Sequence, residues 1–151
     1  MTCITFLPGF AKAEEDTPTS DALRKSNISV EEVRRLAKEG DTEAQTVMCH
    51  LYSEGGLVGR DFDKAFRWCY VASKRGNAAA QFSLGTHYFT GNGVEQSDEK
   101  ALMWYLVAEM NGLDEYNDIK EGVAELMPKS AVRNARSKAA QCFQSSYKFC
   151  E

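Results

Sequence analysis

The sequence predicts an all-α protein, a solenoid of stacked helix-turn-helix units, and three observations carry that prediction. First, a set of residues recurs at a constant offset of 36 positions. Ala44, Gln45, Tyr52, Gly55, Val58, Lys64, Ala65, Trp68, Val71, Ala72 and Gly76 return as Ala80, Gln81, Tyr88, Gly91, Val94, Lys100, Ala101, Trp104, Val107, Ala108 and Gly112. A fixed period of about 20 to 50 residues marks supersecondary units that bury their apolar faces only by stacking. Second, apolar residues inside each block fall at helical spacing, as in Ala44, Val47, Met48, Leu51 and Tyr52, which is the stripe of a helix buried on one side. Third, Gly55, Gly56 and Gly59 in one block and Gly91 and Gly93 in the next interrupt that spacing. They supply the positive φ that a tight connection between helices needs.

Composition bounds the remaining possibilities. At 151 residues with 43% hydrophobic content the chain has room for one domain with a proper core. A formal charge of −4 and an isoelectric point near 5.3 argue against a nucleic-acid partner, since phosphate binding needs a positive footprint. No run of about 18 apolar residues is present, so no membrane-spanning helix is expected.

Taken in order, residues 1–13 read as the back half of a secretory leader. Cys3-Ile4-Thr5-Phe6-Leu7-Pro8-Gly9-Phe10 is apolar, and Ala11 and Ala13 place small residues at the positions that precede a signal-peptidase cut between Ala13 and Glu14. The charged start of such a leader is expected upstream of Met1, and a slightly apolar tail is the alternative reading. Export implies an oxidising compartment, periplasmic or secreted, in which the four cysteines after Cys3 pair. Residues 14–27, rich in Asp, Thr, Ser and Pro, are expected to be a flexible lead-in. The domain then runs over 28–151. Ser29-Val30-Glu31-Glu32 is a capping box, with Glu32 reaching back to Ser29, and the short helix it starts covers the open end of the solenoid. Full units span about 41–76 and 77–112, and a helical cap spans 113–151. In the units, Tyr52, Gly55, Lys64, Ala65, Trp68 and Ala72, and then Leu84, Gly85, Tyr88, Gly91, Gly93, Lys100, Ala101, Trp104 and Ala108, are assigned to structure rather than to a site. In the cap, a helix over Leu113 to Leu126 buries Leu113, Tyr116, Ile119, Val123 and Leu126. Pro128 opens a last helix that turns Val132, Ala135, Ala139 and Phe143 inward.

The repeat resembles the Sel-one-like repeat (SLR) family, relatives of the tetratricopeptide repeats. The second unit matches its pattern at Ala80-Gln81, Leu84-Gly85, Tyr88, Gly91, Gly93-Val94, Lys100-Ala101, Trp104-Tyr105, Ala108 and Gly112. The first departs from it, with Cys49 and Leu57 where the pattern has Gly and Cys69 where it has Tyr. The resemblance implies a right-handed α-α superhelix whose faces hold peptides or protein domains: a noncatalytic scaffold or regulatory adaptor with a protein partner and no cofactor. Some cysteine-rich bacterial relatives are linked with β-lactam binding or hydrolysis, so a binder or hydrolase of β-lactams or cell-wall fragments is the rival. A structural subunit of an envelope assembly is a third reading.

No catalytic, cofactor or metal residue is assigned. His50 and His87 sit one position out of register, which places them at a core rim or in solvent rather than in a shared site. Gly91-Asn92-Gly93 lacks the Lys-Ser/Thr of a phosphate loop and reads as a turn. Cys49 and Cys69 flank Val58 at similar distances along a hairpin and are a disulfide candidate. Cys142 and Cys150 are another if the chain turns back after Ser145-Ser146; buried reduced thiols are the alternative for both. Finally, Asp114, Asp118, Glu121 and Glu125 form one stripe and Lys129, Arg133 and Arg136 another. Counting outward from the turn pairs Glu125 with Lys129, Glu121 with Arg133 and Asp118 with Arg136 in a register-fixing ladder. If the stripes point apart, Asp118, Glu121, Arg133 and Arg136 become partner-facing charges.

Overall fold

The computed structural model describes residues 18–151, and every regular element among them is a helix. In order these are α1 (Pro18–Ser26), α2 (Val30–Glu39), α3 (Thr42–Glu54), α4 (Phe62–Ser73), α5 (Ala78–Thr90), α6 (Asp98–Met110), α7 (Asn117–Glu125) and α8 (Lys129–Gln144). Helices α3 with α4 and α5 with α6 are the two repeat hairpins, and each packs on the next to make an all-α solenoid. The leader expected over residues 1–13, with its cut after Ala13, lies outside the described residues.

Side-chain caps define the starts. Asp41, Asp61, Asn77 and Ser97 each accept the backbone N–H three residues on, at 2.7, 3.0, 2.9 and 3.3 Å, which satisfies one of the donors a helix start leaves open. Ser29 does the same for α2 at 3.1 Å, but the reciprocal half of the expected capping box is absent. Both Glu32 oxygens go instead to Arg35, at 2.6 and 3.1 Å, because an i,i+3 guanidinium offers a bidentate, charge-assisted partner.

The buried glutamines Gln45 and Gln81 join the units. Their amide nitrogens donate to the carbonyls of Ala37 and Ser73, at 3.0 and 3.1 Å, and so occupy acceptors at the end of the preceding helix. Arg75 on the carbonyl of Gly40 and Asn111 on that of Gly76 repeat the device one layer out. Lys64 over Tyr52 and Lys100 over Tyr88 form a matching cation–π pair, each 5.3 Å from the ring centre.

One pair of facing positions differs between the units. Gly85 lies in α5 where a Cβ would stand 2.8 Å from two ring carbons of Tyr105 in α6. One period earlier the same contact is made by Cys49 and Cys69, which are bonded to each other with a Cα–Cα distance of 5.0 Å. A glycine under an aromatic ring and a disulfide are thus two ways of filling one interhelix space. The departure at Leu57 has a similar cause. A Cβ on Gly93 would stand 2.3 Å from the Phe62 carbonyl oxygen, whereas Leu57 packs against the cluster of Leu23, Val33 and Met48.

Four further expectations are corrected. Residues 18–26 form a helix rather than a flexible lead-in: Leu23 enters the α2–α3 core and Thr19 bonds Glu54, at 2.9 Å from its hydroxyl. The contact surface comes from α3, which the local composition does not reveal. The helix expected over Leu113 to Leu126 is shorter, Asn117–Glu125, and of its apolar face only Val123 is buried. In α8 Cys142 takes the inward position expected for Phe143, which is 37% exposed. The charge ladder is also absent: none of its pairs is an ion pair among the described residues, because α8 packs along α6, where Lys138 reaches Glu99 at 3.1 Å. After α8 the chain turns back through Ser146 and Tyr147, both at positive φ, and Cys150 bonds Cys142.

Candidate functional site

A cleft of about 560 Å³ lies between α3 and α5, with Leu113, Glu115 and Tyr116 at one end. The last turns of α3 and the length of α5 build it, so the repeat itself positions its side chains. Its lining includes aromatic rings: Phe82 stacks on Tyr116 at 4.3 Å between ring centres and touches Tyr105 at 5.0 Å, while Phe62 meets the edge of the His87 ring at 6.3 Å. Hydroxyls stand beside them, from Ser53 on α3 and from Ser83, Thr86 and Thr90 on α5. Arg60 reaches in at the mouth and donates to the Glu54 carbonyl at 3.0 Å.

Both histidines line this cleft at the rim of the core; that they share it is what the register did not show. His50 Nε2 lies 3.0 Å from the Ser83 hydroxyl, and His87 Nε2 lies 3.1 Å from the Ser53 hydroxyl. His87 is only 5% exposed. Its Nδ1 stands 2.7 Å from the Asn92 carbonyl, which can only accept, so Nδ1 carries the proton and the neutral ring presents a lone pair to Ser53. Burial holds both imidazoles below their ordinary value of 6.5, opposed at His50 by the Glu54 carboxylate and at His87 by the Asn92 carbonyl, while the His87 ring lowers His50 further. The single-residue offset between them is the signal that misled. His50 and His87 occupy adjacent turns of neighbouring parallel helices, not equivalent points on them.

Ser53 with His87 has the spacing of a nucleophile and base, but not the rest of an acyl-transfer site. Ser53 sits in the last turn of α3, its hydroxyl also 2.9 Å from the Cys49 carbonyl, and the backbone N–H groups around it are spent within the helix. Nor do the nearby sulfurs complete a metal site. The Sγ atoms of Cys49 and Cys69 and a ring nitrogen of His87 all lie within 4.8 Å of one another, but bonded sulfurs offer no thiolate, leaving one imidazole as donor. The Gly91-Asn92-Gly93 turn lends the cleft its Asn92 carbonyl and closes α5 with Gly91 at φ 71°. The assigned structural aromatics stand elsewhere: Trp104 is 1% exposed in the core, and Trp68 packs between the two core clusters. Asp118, Glu121, Arg133 and Arg136 line no part of the cleft and are exposed on α7 and α8.

Comparison with known proteins agrees with this architecture. The Sel1 repeat family model matches residues 42–77 and 78–113, within one residue of the units read from the period. A chitin synthase regulator of Saccharomyces cerevisiae, SKT5, is 31% identical over 109 residues, 71% of this chain and 15% of that protein. Protein sel-1 homolog 2 of Homo sapiens is 35% identical over 95 residues, 57% of this chain and 14% of that protein. The chain thus spans about one seventh of the length of these curated relatives. A crystal structure of a protective antigen of uropathogenic Escherichia coli displaying an SLR fold superposes with a TM-score of 0.76. It covers 85% of this chain and 30% of that one at 23% identity, a likeness of fold.

Proposed function

Because this chain is a Sel1-like repeat protein, we propose that it acts as a scaffold or regulatory adaptor that holds a segment of another protein in the α3–α5 cleft. The observation that carries this reading is the cleft's composition. Its aromatic rings take an apolar side chain, and the hydroxyls and imidazoles beside them offer donors and acceptors to an extended backbone. That one similar protein is named a regulator of a synthase is in keeping with a regulatory role. We further propose that it works outside the reducing cytosol, in the periplasm or secreted. The Cys49–Cys69 and Cys142–Cys150 bonds support this, since such bonds persist in oxidising compartments.

The test is capture of partners from the native compartment by wild type and by Ser83→Trp, which fills the cleft and gives up the Ser83–His50 hydrogen bond. A partner retained by wild type and lost with Ser83→Trp at unchanged melting temperature is the expected result. Equal capture by both proteins refutes the cleft as the binding site. The rival reading as a hydrolase of β-lactams or cell-wall fragments draws on the Ser53–His87 pair alone. Turnover of a chromogenic β-lactam that disappears in Ser53→Ala would move the assignment there.

A further inference from the structure

α7 carries an apolar stripe of which only Val123 is buried. Ile119 and Leu126 are 45% and 73% exposed, because α8 packs along α6 and leaves this side of α7 without a covering helix. At about 100° per residue, Ile119 and Leu126 share one side of α7, and Asp118, Glu121 and Glu125 share the adjoining side. Those carboxylates are exposed and make no ion pair among the described residues, while the helix's one lysine, Lys120, is occupied by Glu109 at 2.5 Å. The surface is therefore an apolar stripe beside an unneutralised acidic one.

We propose that this face of α7 is a docking surface for a basic amphipathic segment of a partner protein, its apolar residues seated on Ile119 and Leu126 and its Lys or Arg side chains on Asp118, Glu121 and Glu125. The apolar stripe supplies affinity through surface removed from water, and the charges select a basic partner and repel an acidic one. A second copy of the chain fits less well. Its exposed basic stripe of Lys129, Arg133 and Arg136 on α8 lies among polar residues and offers no apolar counterpart before Phe143. The proposal rests on the reading of the chain as a protein-binding scaffold but on a different surface from the cleft, so variants separate the two.

The probe is a dye-labelled peptide of about 14 residues, four helical turns, with Leu and Lys at amphipathic spacing, followed by fluorescence anisotropy beside its Leu–Glu counterpart. The Leu–Lys peptide is expected to bind wild type and the Leu–Glu peptide to fail. Ile119→Asp with Leu126→Asp should raise Kd by about tenfold or more, the scale of losing one or two buried aliphatic contacts. These substitutions add negative charge, so a loss is apolar in origin. Asp118→Asn, Glu121→Gln and Glu125→Gln together should weaken binding at low salt and flatten its salt dependence. Ser83→Trp should leave peptide affinity unchanged while still abolishing cleft binding. The proposal is overturned if the Ile119/Leu126 variant binds as wild type does, if the Leu–Glu peptide binds equally, or if Ser83→Trp alone removes the peptide. It is equally overturned if wild type forms a dimer in sedimentation velocity that Leu126→Asp dissolves. All the α7 positions are exposed, and circular dichroism confirms that each variant folds.

Discussion

Gly85→Ala and Gly122→Ala are the same substitution in two helices, and the structure assigns them opposite signs. Replacing a helical glycine by alanine ordinarily stabilises by about 1 kcal/mol, because the unfolded chain loses less backbone entropy. At Gly122 in α7 a new Cβ meets nothing within 4 Å, so the full gain is expected. At Gly85 the new Cβ stands 2.8 Å from Cδ1 and Cε1 of Tyr105 and 3.1 Å from the Ala101 carbonyl oxygen. Tyr105 cannot swing away: it is 3% exposed, and its hydroxyl lies 3.2 Å from that of Thr86. The helices must separate, and overpacking of this kind costs about 1 to 3 kcal/mol. Set against the propensity gain, Gly85→Ala should destabilise by up to about 2 kcal/mol. For a chain of this size each kcal/mol moves the melting temperature by about 2 to 4 °C. Thermal denaturation followed by circular dichroism should therefore show Gly122→Ala rising and Gly85→Ala falling. In a Tyr105→Ala background, itself costly through loss of the ring, Gly85→Ala should turn neutral or stabilising. If Gly85→Ala raises the melting temperature as Gly122→Ala does, Tyr105 does not set the α5–α6 distance, and the equivalence with the Cys49–Cys69 contact falls with it.

Two further outcomes follow from the same coordinates. The Cys49–Cys69 bond closes a span of 20 residues and the Cys142–Cys150 bond one of 8. On a chain-entropy account, replacing each pair by serine should cost about 3 and about 2.5 kcal/mol respectively, read as a lowered urea midpoint. Midpoints that do not move on reduction by a dithiol would show that the bonds contribute no stability. Burial lowers the pKa of His50 and His87 below 6.5. The unfolded chain therefore takes up protons first as pH falls, and stability should decline progressively below about pH 6.5. His87→Asn should flatten the melting-temperature profile between pH 7.5 and 5, two values that bracket the ordinary histidine pKa of about 6.5. An unchanged slope would assign the decline to other groups.

Between the two repeats the structure explains variation as well as identity. Ala65, Ala101, Ala72 and Ala108 are all at most 1% exposed, and at such close approach only a small side chain fits. The Gly85–Tyr105 contact and its Cys49–Cys69 equivalent show that two positions change together because they share one volume. Gln45 and Gln81 were visible only as part of a pattern; the carbonyls they bond belong to the preceding helix, 8 positions back.

The 36-residue period by itself determined the units and their turns. Those features depend on local spacing and on glycines whose φ the turn dictates. The cysteine pairings were approachable for the same reason, through rise per residue and hairpin symmetry. What only tertiary structure decided is how elements outside the period pack. α1 is a helix because α3 offers Leu23 a core and Glu54 offers Thr19 an acceptor. His50 and His87 share a cleft because neighbouring helices bring adjacent turns together, whatever their register. Ile119 and Leu126 remain in water because α8 finds its better partner in α6. An amphipathic pattern records that a face can be buried; whether another element arrives to bury it depends on the rest of the chain.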